Sequence, residues 1–322
     1  MTIRAVIEEM LSTTPIRVGQ FDLNGKCNAK CWYCPVKYED NPKAFQHQVS
    51  VADANTILRR LRESAHVSPD MKLMYTCHYN EALLHKDLEG ILAAFRTHGM
   101  TTSLLSNGTP LTPEKADILT RYHDVAKSVL LNIPAFEPQD WSKKAGMHVR
   151  LHQNLMRNLR YVHDQTDLPL SIQINSVTDL QAASLGAAGI LTSKSEADKI
   201  SLQFKHEFPR FNIRALDSLS NRAGLLSKHG AFVEPPKSSR PVVGCAHTRI
   251  VPGARIYGWI HINSSGDLFL CCDDYQMKYR FGNLIETPLD QLWVSKAHID
   301  AIETSFNELC RSCDARITAP PP

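Results

Sequence analysis

Over its first two-thirds the chain alternates short apolar runs with amphipathic stretches of helical period, and this alternation constrains its fold more than any other feature. Strands are expected at Arg17–Leu23, Met71–Cys77, Thr101–Ser106, Ser128–Ile133, Pro169–Val177 and Phe211–Asp217. Helices are expected between them, near Val51–Ser64, Lys86–His98, Pro113–Tyr122, Val149–Val162 and Ser193–Phe208. Strands separated by helices pair in parallel, because each crossover must carry the chain back to the same end of the sheet. The expected fold is α/β, a partial (β/α)6 TIM-like barrel with its reactive loops at the C-terminal ends of the strands.

The first of those loops carries three thiols in eight residues, Cys27-Asn-Ala-Lys-Cys31-Trp-Tyr-Cys34, a C-x3-C-x2-C spacing. Thiolates are soft ligands that suit either zinc or an iron–sulfur cluster. A structural zinc needs a fourth protein ligand, and none is close in sequence. Three cysteines on one loop can instead hold three irons of a cubane and leave the fourth open. The segment Met1–Thr14 is interrupted by Arg4, Glu8 and Glu9 and lacks the apolar stretch of an export signal. The expected compartment is the reducing cytoplasm, where nine cysteines read as ligands or catalytic thiols. No run approaches membrane-span length. With 36 Lys and Arg against 33 Asp and Glu, a net charge of +3 provides no broad basic field. Neither nucleic acid nor a membrane is therefore an expected partner.

From Lys228 to Val242 the chain turns rich in Pro, Lys and Ser, the composition of a linker. Beyond it, Ile256–Asn263 and Leu268–Cys272 flank a Ser264–Asp267 turn as a β-hairpin, and a helix is expected from Pro288 to Ser305. Cys245, Cys271, Cys310 and Cys313 surround these elements as a second ligand set, whose C-x2-C pair alone fits zinc as readily as iron. The expected domains are an N-terminal helical extension (1–16), the barrel (17–227), a linker (228–244), a small cysteine domain (245–316) and a tail (317–322).

With Tyr33 directly before Cys34, the first loop resembles the signature of the radical S-adenosylmethionine (SAM) superfamily. The resemblance implies a 4Fe–4S cluster whose open iron takes the SAM amino and carboxylate groups. Reductive cleavage then yields methionine and a 5′-deoxyadenosyl radical, chemistry that belongs to the cofactor. Tyr79-Asn80-Glu81-Ala82 resembles the family's Gly-Gly-Glu-Pro segment, with Asn80 where glycine is usual and Ala82 in place of proline. Ser106-Asn107-Gly108 resembles its Thr-Asn-Gly, and Asn132 and Asn175 occupy places where relatives contact SAM. The implied cofactor-binding residues are Tyr33, Asn80, Glu81, Ser106, Asn107, Asn132 and Asn175, although Asn and Ser also serve turns. Gly266-x4-Cys271, Gly282-Asn283 and the C-terminal pair resemble the twitch form of the SPASM domain. That form implies a second, auxiliary 4Fe–4S cluster on Cys245, Cys271, Cys310 and Cys313.

Three segments, Cys27–Pro35, Leu219–Gly224 and Gly266–Asn283, resemble a branch of the superfamily that oxidises a cyclitol alcohol to a ketone. The resemblance places Arg222 and Asp273 at the substrate. The chain is longer than that branch near Leu180–Asp198 and Val251–Trp259, which implies a different or larger substrate. The expected activity is oxidation of a sugar, cyclitol or similar polar metabolite, with a flavodoxin- or ferredoxin-type reductant. Alternatives are a radical epimerase using Cys272 or Cys77 as hydrogen donor, a maturase of ribosomal peptides, and a zinc-stabilised interaction module. A free cysteine is commonly a small buried apolar residue, which weighs against the epimerase. The short segment before Cys27 weighs against a fused leader-peptide domain.

Overall fold

The structure, a computed structural model, describes residues 2–319 except 40–41, 44–45, 77–78, 186–189, 218, 234–239 and 247–257. Cys77 lies outside the described residues. Six parallel strands form the centre: β1 (Ile16–Phe21), β2 (Leu73–Thr76), β3 (Thr101–Ser106), β4 (Ala126–Asn132), β5 (Leu170–Asn175) and β6 (Asn212–Leu216). Helix α1 (Ile3–Thr13) precedes them. The connections carry α2 (Val51–Glu63), α3 (Leu88–Thr97), α4 (Pro113–Arg121), α5 (Pro138–Ala145), α6 (Arg150–Gln165), α7 (Asp179–Leu185) and α8 (Lys194–Glu207), and the short α9 (Leu225–Lys228) follows β6.

Local chemistry explains these elements. In α2, Ser50 caps the N-terminus by accepting the Asp53 N–H at 3.0 Å, and Ala54, Ile57, Leu58 and Leu61 fall on one fully buried face. Burying each of the larger side chains contributes about 1.5–3 kcal/mol. In β5, Ile172 and Ile174 are fully buried toward the helices, while the alternate residues Ser171, Gln173 and Asn175 are polar. β4 repeats this, with Val129 and Leu131 fully buried and Asn132 on the other face. The inner face therefore carries hydrogen-bonding side chains, such as the Ser103–Ser128 pair, where a closed barrel would carry bulky apolar layers. Such a lining suits a polar ligand.

The C-terminal region contains β7 (Val242–Cys245), β8 (Gly258–Ile262), β9 (Asp267–Phe269), β10 (Arg280–Asn283), α10 (Leu289–Trp293), α11 (Lys296–Asn307) and β11 (Arg316–Thr318). The expected hairpin is present as β8 and β9, but β8 also pairs in parallel with β1, so one nine-stranded sheet runs β10-β9-β8-β1-β2-β3-β4-β5-β6. The expected helix over Pro288–Ser305 is two helices. Ser295 interrupts it by accepting the His298 N–H and capping α11. Two expectations at the edges need correction. The end of the expected linker is strand β7, and the start of the expected tail is β11, which pairs with it antiparallel. Neither strand has an alternating pattern long enough to read; each is held by the other.

Candidate active site

The first cysteine loop is held from below by the end of α5. The Lys30 N–H donates to the Ala145 carbonyl at 2.8 Å and the Trp32 N–H to the Lys144 carbonyl at 3.0 Å, so Cys31 is fixed on both sides. Carbonyls at a helix C-terminus lack partners within the helix, and here the loop supplies them. The helix ends at Gly146 with φ +61°, and a Cβ there would meet the Lys30 carbonyl oxygen at 2.7 Å. Trp32 is fully buried and packs edge-on against Tyr33. Burial pushes the Cys31 thiol up to about 12 and the Cys34 thiol up to about 11, and Cys31 and Cys34 lie in each other's field. The Cys27 thiol is raised further, first by burial and then by Glu81 and the other two cysteines.

Around these thiols stand the residues expected to bind the cofactor. Asn80 hydrogen-bonds the buried Asp22, while its Oδ1 is buried with no hydrogen-bond partner among the described residues. Glu81 is 1 % exposed and accepts the Leu83 N–H at 3.0 Å on one oxygen and the Asn107 N–H at 2.6 Å on the other. It thus fastens the β3 loop to the β2 loop, and the Ser106 hydroxyl hydrogen-bonds it as well. Burial raises its carboxyl to about 7 against these hydrogen bonds. Ser106 accepts the Gly108 N–H, and Asn107 Nδ2 donates to Asn28 beside Cys27. Asn132 Oδ1 accepts from both Gln173 and Asn175 at 3.2 Å, and Asn175 is also hydrogen-bonded to Tyr33. The seven residues thus surround one side of the cysteine loop, joined by Asp22 and Gln173, which sequence reasoning missed.

Cys245, Cys271, Cys310 and Cys313, separated by up to 68 positions in the chain, line one cavity together with Cys272, Asp273, Trp259 and His261. The β7–β11 pair brings Cys245 to the C-terminal cysteines. The hairpin loop after β9 is set by Asp274, whose two oxygens accept the Lys278 and Tyr279 N–H groups at 2.9 Å. The loop after β6 is pinned by Asn221, which accepts the Asp314 N–H and donates to the Ser312 carbonyl at 2.7 Å. Gly224 lies against Ser312, leaving no space for a Cβ. Between these anchors Arg222 and Ala223 adopt φ +52° and +51°, a costly conformation for residues with side chains.

Arg222 lies 3.7 Å from Asp273 Oδ1, and its guanidinium stands 5.7 Å from the centre of the Tyr79 ring. Asp273 in turn approaches the Cys313 sulfur at 3.8 Å. Tyr79 packs edge-on against Tyr275 with ring centres 4.8 Å apart, in an apolar cluster that touches Cys27 and Cys34. Burial raises the Tyr79 phenol, Arg222 opposes that, and Asp273, Cys272 and Cys34 add to it. Tyr79 therefore lies in the field of Cys34 in the first set and of Cys272, the neighbour of Cys271 in the second. Tyr79 stands in a motif position where glycine is usual, a signal that could have singled it out. Arg222 and Asp273 also line a polar cleft of about 520 Å³ with Glu39, Tyr275, Lys278 and Glu308.

Three thiols on one loop and four lining one cavity are soft donor sets of the kind that hold iron–sulfur clusters. The orphan Asn80 oxygen suits an ammonium such as that of SAM. The family model described as the radical SAM superfamily matches residues 23–171. The chain carries a radical SAM domain there. A second model, an iron-sulfur cluster-binding SPASM domain, matches residues 255–314. This radical SAM enzyme therefore uses SAM on a 4Fe–4S cluster, and its SPASM domain implies auxiliary iron–sulfur binding. No curated protein matches the enzyme in sequence.

Solved structures share the fold at low identity. BtrN in complex with AdoMet and 2-DOIA is 18 % identical with a TM-score of 0.55, covering 93 % of each chain. Streptococcus suis SuiB bound to precursor peptide SuiA is 13 % identical with a TM-score of 0.56, covering 96 % of this radical SAM enzyme and 73 % of SuiB. Native anSMEcpe with bound AdoMet is 16 % identical with a TM-score of 0.56, covering 93 % and 88 %. Among the described residues no helix is long and apolar enough to cross a membrane.

Proposed function

We propose that the enzyme oxidises an alcohol of a sugar, cyclitol or similar polar metabolite to a ketone. One observation carries this reading: Asp273 lines both the polar cleft and the second cysteine cavity, and Arg222, which lines the cleft, lies 3.7 Å from it. Cys27, Cys31 and Cys34 hold the SAM-binding cluster in this reading, and Cys245, Cys271, Cys310 and Cys313 hold the auxiliary one. When bound, the first cluster with SAM supplies a hydrogen-abstracting radical and the second accepts an electron. A secondary alcohol that loses one hydrogen atom, one proton and one electron becomes a ketone, so three acceptors must meet at one carbon. Asp273 is placed to take the proton, and Arg222 to orient the hydroxyl oxygen by hydrogen bonding. Asn80, Glu81, Ser106, Asn107, Asn132, Asn175 and Tyr33 hold SAM. The likeness to BtrN, whose structure holds AdoMet and 2-DOIA, adds support at the level of fold.

A second reading rests on Cys272, which lines the second cavity beside Cys271 and Asp273 and in this reading would return a hydrogen atom. One experiment separates the two. Anaerobic enzyme with reduced clusters is incubated with SAM and a panel of aminosugars and aminocyclitols in deuterium oxide, and products are read by mass spectrometry. The expected result is equal amounts of 5′-deoxyadenosine, methionine and ketone. Deuterium in an otherwise unchanged substrate would replace oxidation by epimerisation. SAM consumption with a modified peptide alone would remove both.

A further inference from the structure

Arg222 is held in a way that neither substrate binding nor packing requires. Its backbone occupies the left-handed region at φ +52°, locked between the Asn221 and Gly224 anchors. Its side chain is only 26 % exposed, and its Nε is buried without a hydrogen-bond partner among the described residues. Tyr79 offers a ring face on one side and Asp273 a carboxylate on the other. Asp273 in turn lies 3.8 Å from the Cys313 sulfur, so this positive charge stands one side chain away from the second cysteine set. Burial alone would lower the Arg222 pKa, yet Tyr79, Asp273, Cys272 and Cys34 together hold it above its ordinary value.

We propose that Arg222 sets the reduction potential of the auxiliary cluster, favouring its reduced state so that it accepts the electron released by substrate. The physical basis is charge: reduction adds an electron to the cluster and its four thiolates, and a nearby, partly buried cation stabilises the product. The opposed Asp273 carboxylate limits the effect, so the pair holds the potential between two extremes. Arg222 is a positioning residue in this sense, acting through charge. The inference rests on the assignment of Cys245, Cys271, Cys310 and Cys313 to the auxiliary cluster and deepens the oxidation reading.

The test is a redox titration followed by electron paramagnetic resonance on the anaerobically reconstituted full-length enzyme, with Arg222→Gln, Arg222→Met and Arg222→Lys. Iron and sulfide content first establish that each variant holds both clusters. The expected result is a shift of the auxiliary midpoint to more negative potential in the two neutral variants, with the lysine variant close to wild type. An unchanged midpoint in a fully loaded neutral variant would overturn the proposal. So would equal shifts in the neutral and lysine variants, or loss of the auxiliary cluster from both neutral variants, each of which would make the residue structural. The titration needs no substrate, so a failure of the oxidation reading, seen in product analysis, is distinct from a failure here.

Discussion

Asp22 shows how much a single side chain in the lumen can depend on its surroundings. Burial pushes its carboxyl up to about 8 from an ordinary 3.8, against hydrogen bonds from Asn80 and Gln20. The folded protein therefore keeps a proton that the unfolded chain releases as pH rises through about 4. Stability contributed by Asp22 is full below that value and is lost progressively up to about pH 8, at a slope approaching 1.4 kcal/mol per pH unit for one proton. Asp22→Asn removes the titration, so the fall in apparent Tm between pH 5 and pH 8 should be shallower in the variant. Parallel slopes in anaerobic thermal scans would show that Asp22 is not held neutral. Nothing in the sequence marked Asp22: an aspartate at the end of a strand reads as a turn residue until the packing around it is known.

At the scale of elements, the junction of α5 with the cysteine loop is the most exacting contact. Gly146→Ala places a methyl group 2.7 Å from the Lys30 carbonyl oxygen and forces a left-handed backbone at a cost of about 1–2 kcal/mol. The expected outcome is loss of the first cluster's iron and of SAM binding, while the auxiliary cluster stays loaded. Iron analysis together with SAM binding by equilibrium dialysis checks this, and full iron with normal SAM binding would disprove the dependence. Helix α5 was itself illegible in the sequence, because over Pro138–Ala145 only Trp141 and Ala145 are buried apolar residues and two points define no period. The long crossover helices were legible because three or four apolar residues recur on one face, as in α2.

For the whole molecule, the decisive feature is that β1 lies between β2 and β8. Phe21 pairs with Ile262 and Gln20 with His261, so the sheet of the SAM-binding half continues into the SPASM half without an edge. Helix α1 adds a clasp, with Arg4 bridging Asp300 at 2.9 Å and Glu303 at 2.8 Å on α11. Those partly exposed pairs contribute little; the shared sheet and the apolar core beneath it dominate. Both halves should therefore unfold together. Anaerobic calorimetry is expected to give one transition, and two well-separated transitions would mean that the halves are independent.

The sequence by itself determined the parallel α/β class and marked the first cysteine loop, because both are written locally: three thiols lie within eight residues, and an amphipathic period is a property of its own segment. It also marked the later cysteines, though without the β7–β11 pairing that brings Cys245 to Cys313. Tertiary structure alone decided which polar side chains meet. Tyr79, Arg222 and Asp273 lie 51 to 194 positions apart and converge only in the packed fold. Local periodicity specifies the face of an element, and only the packed fold specifies what that face touches.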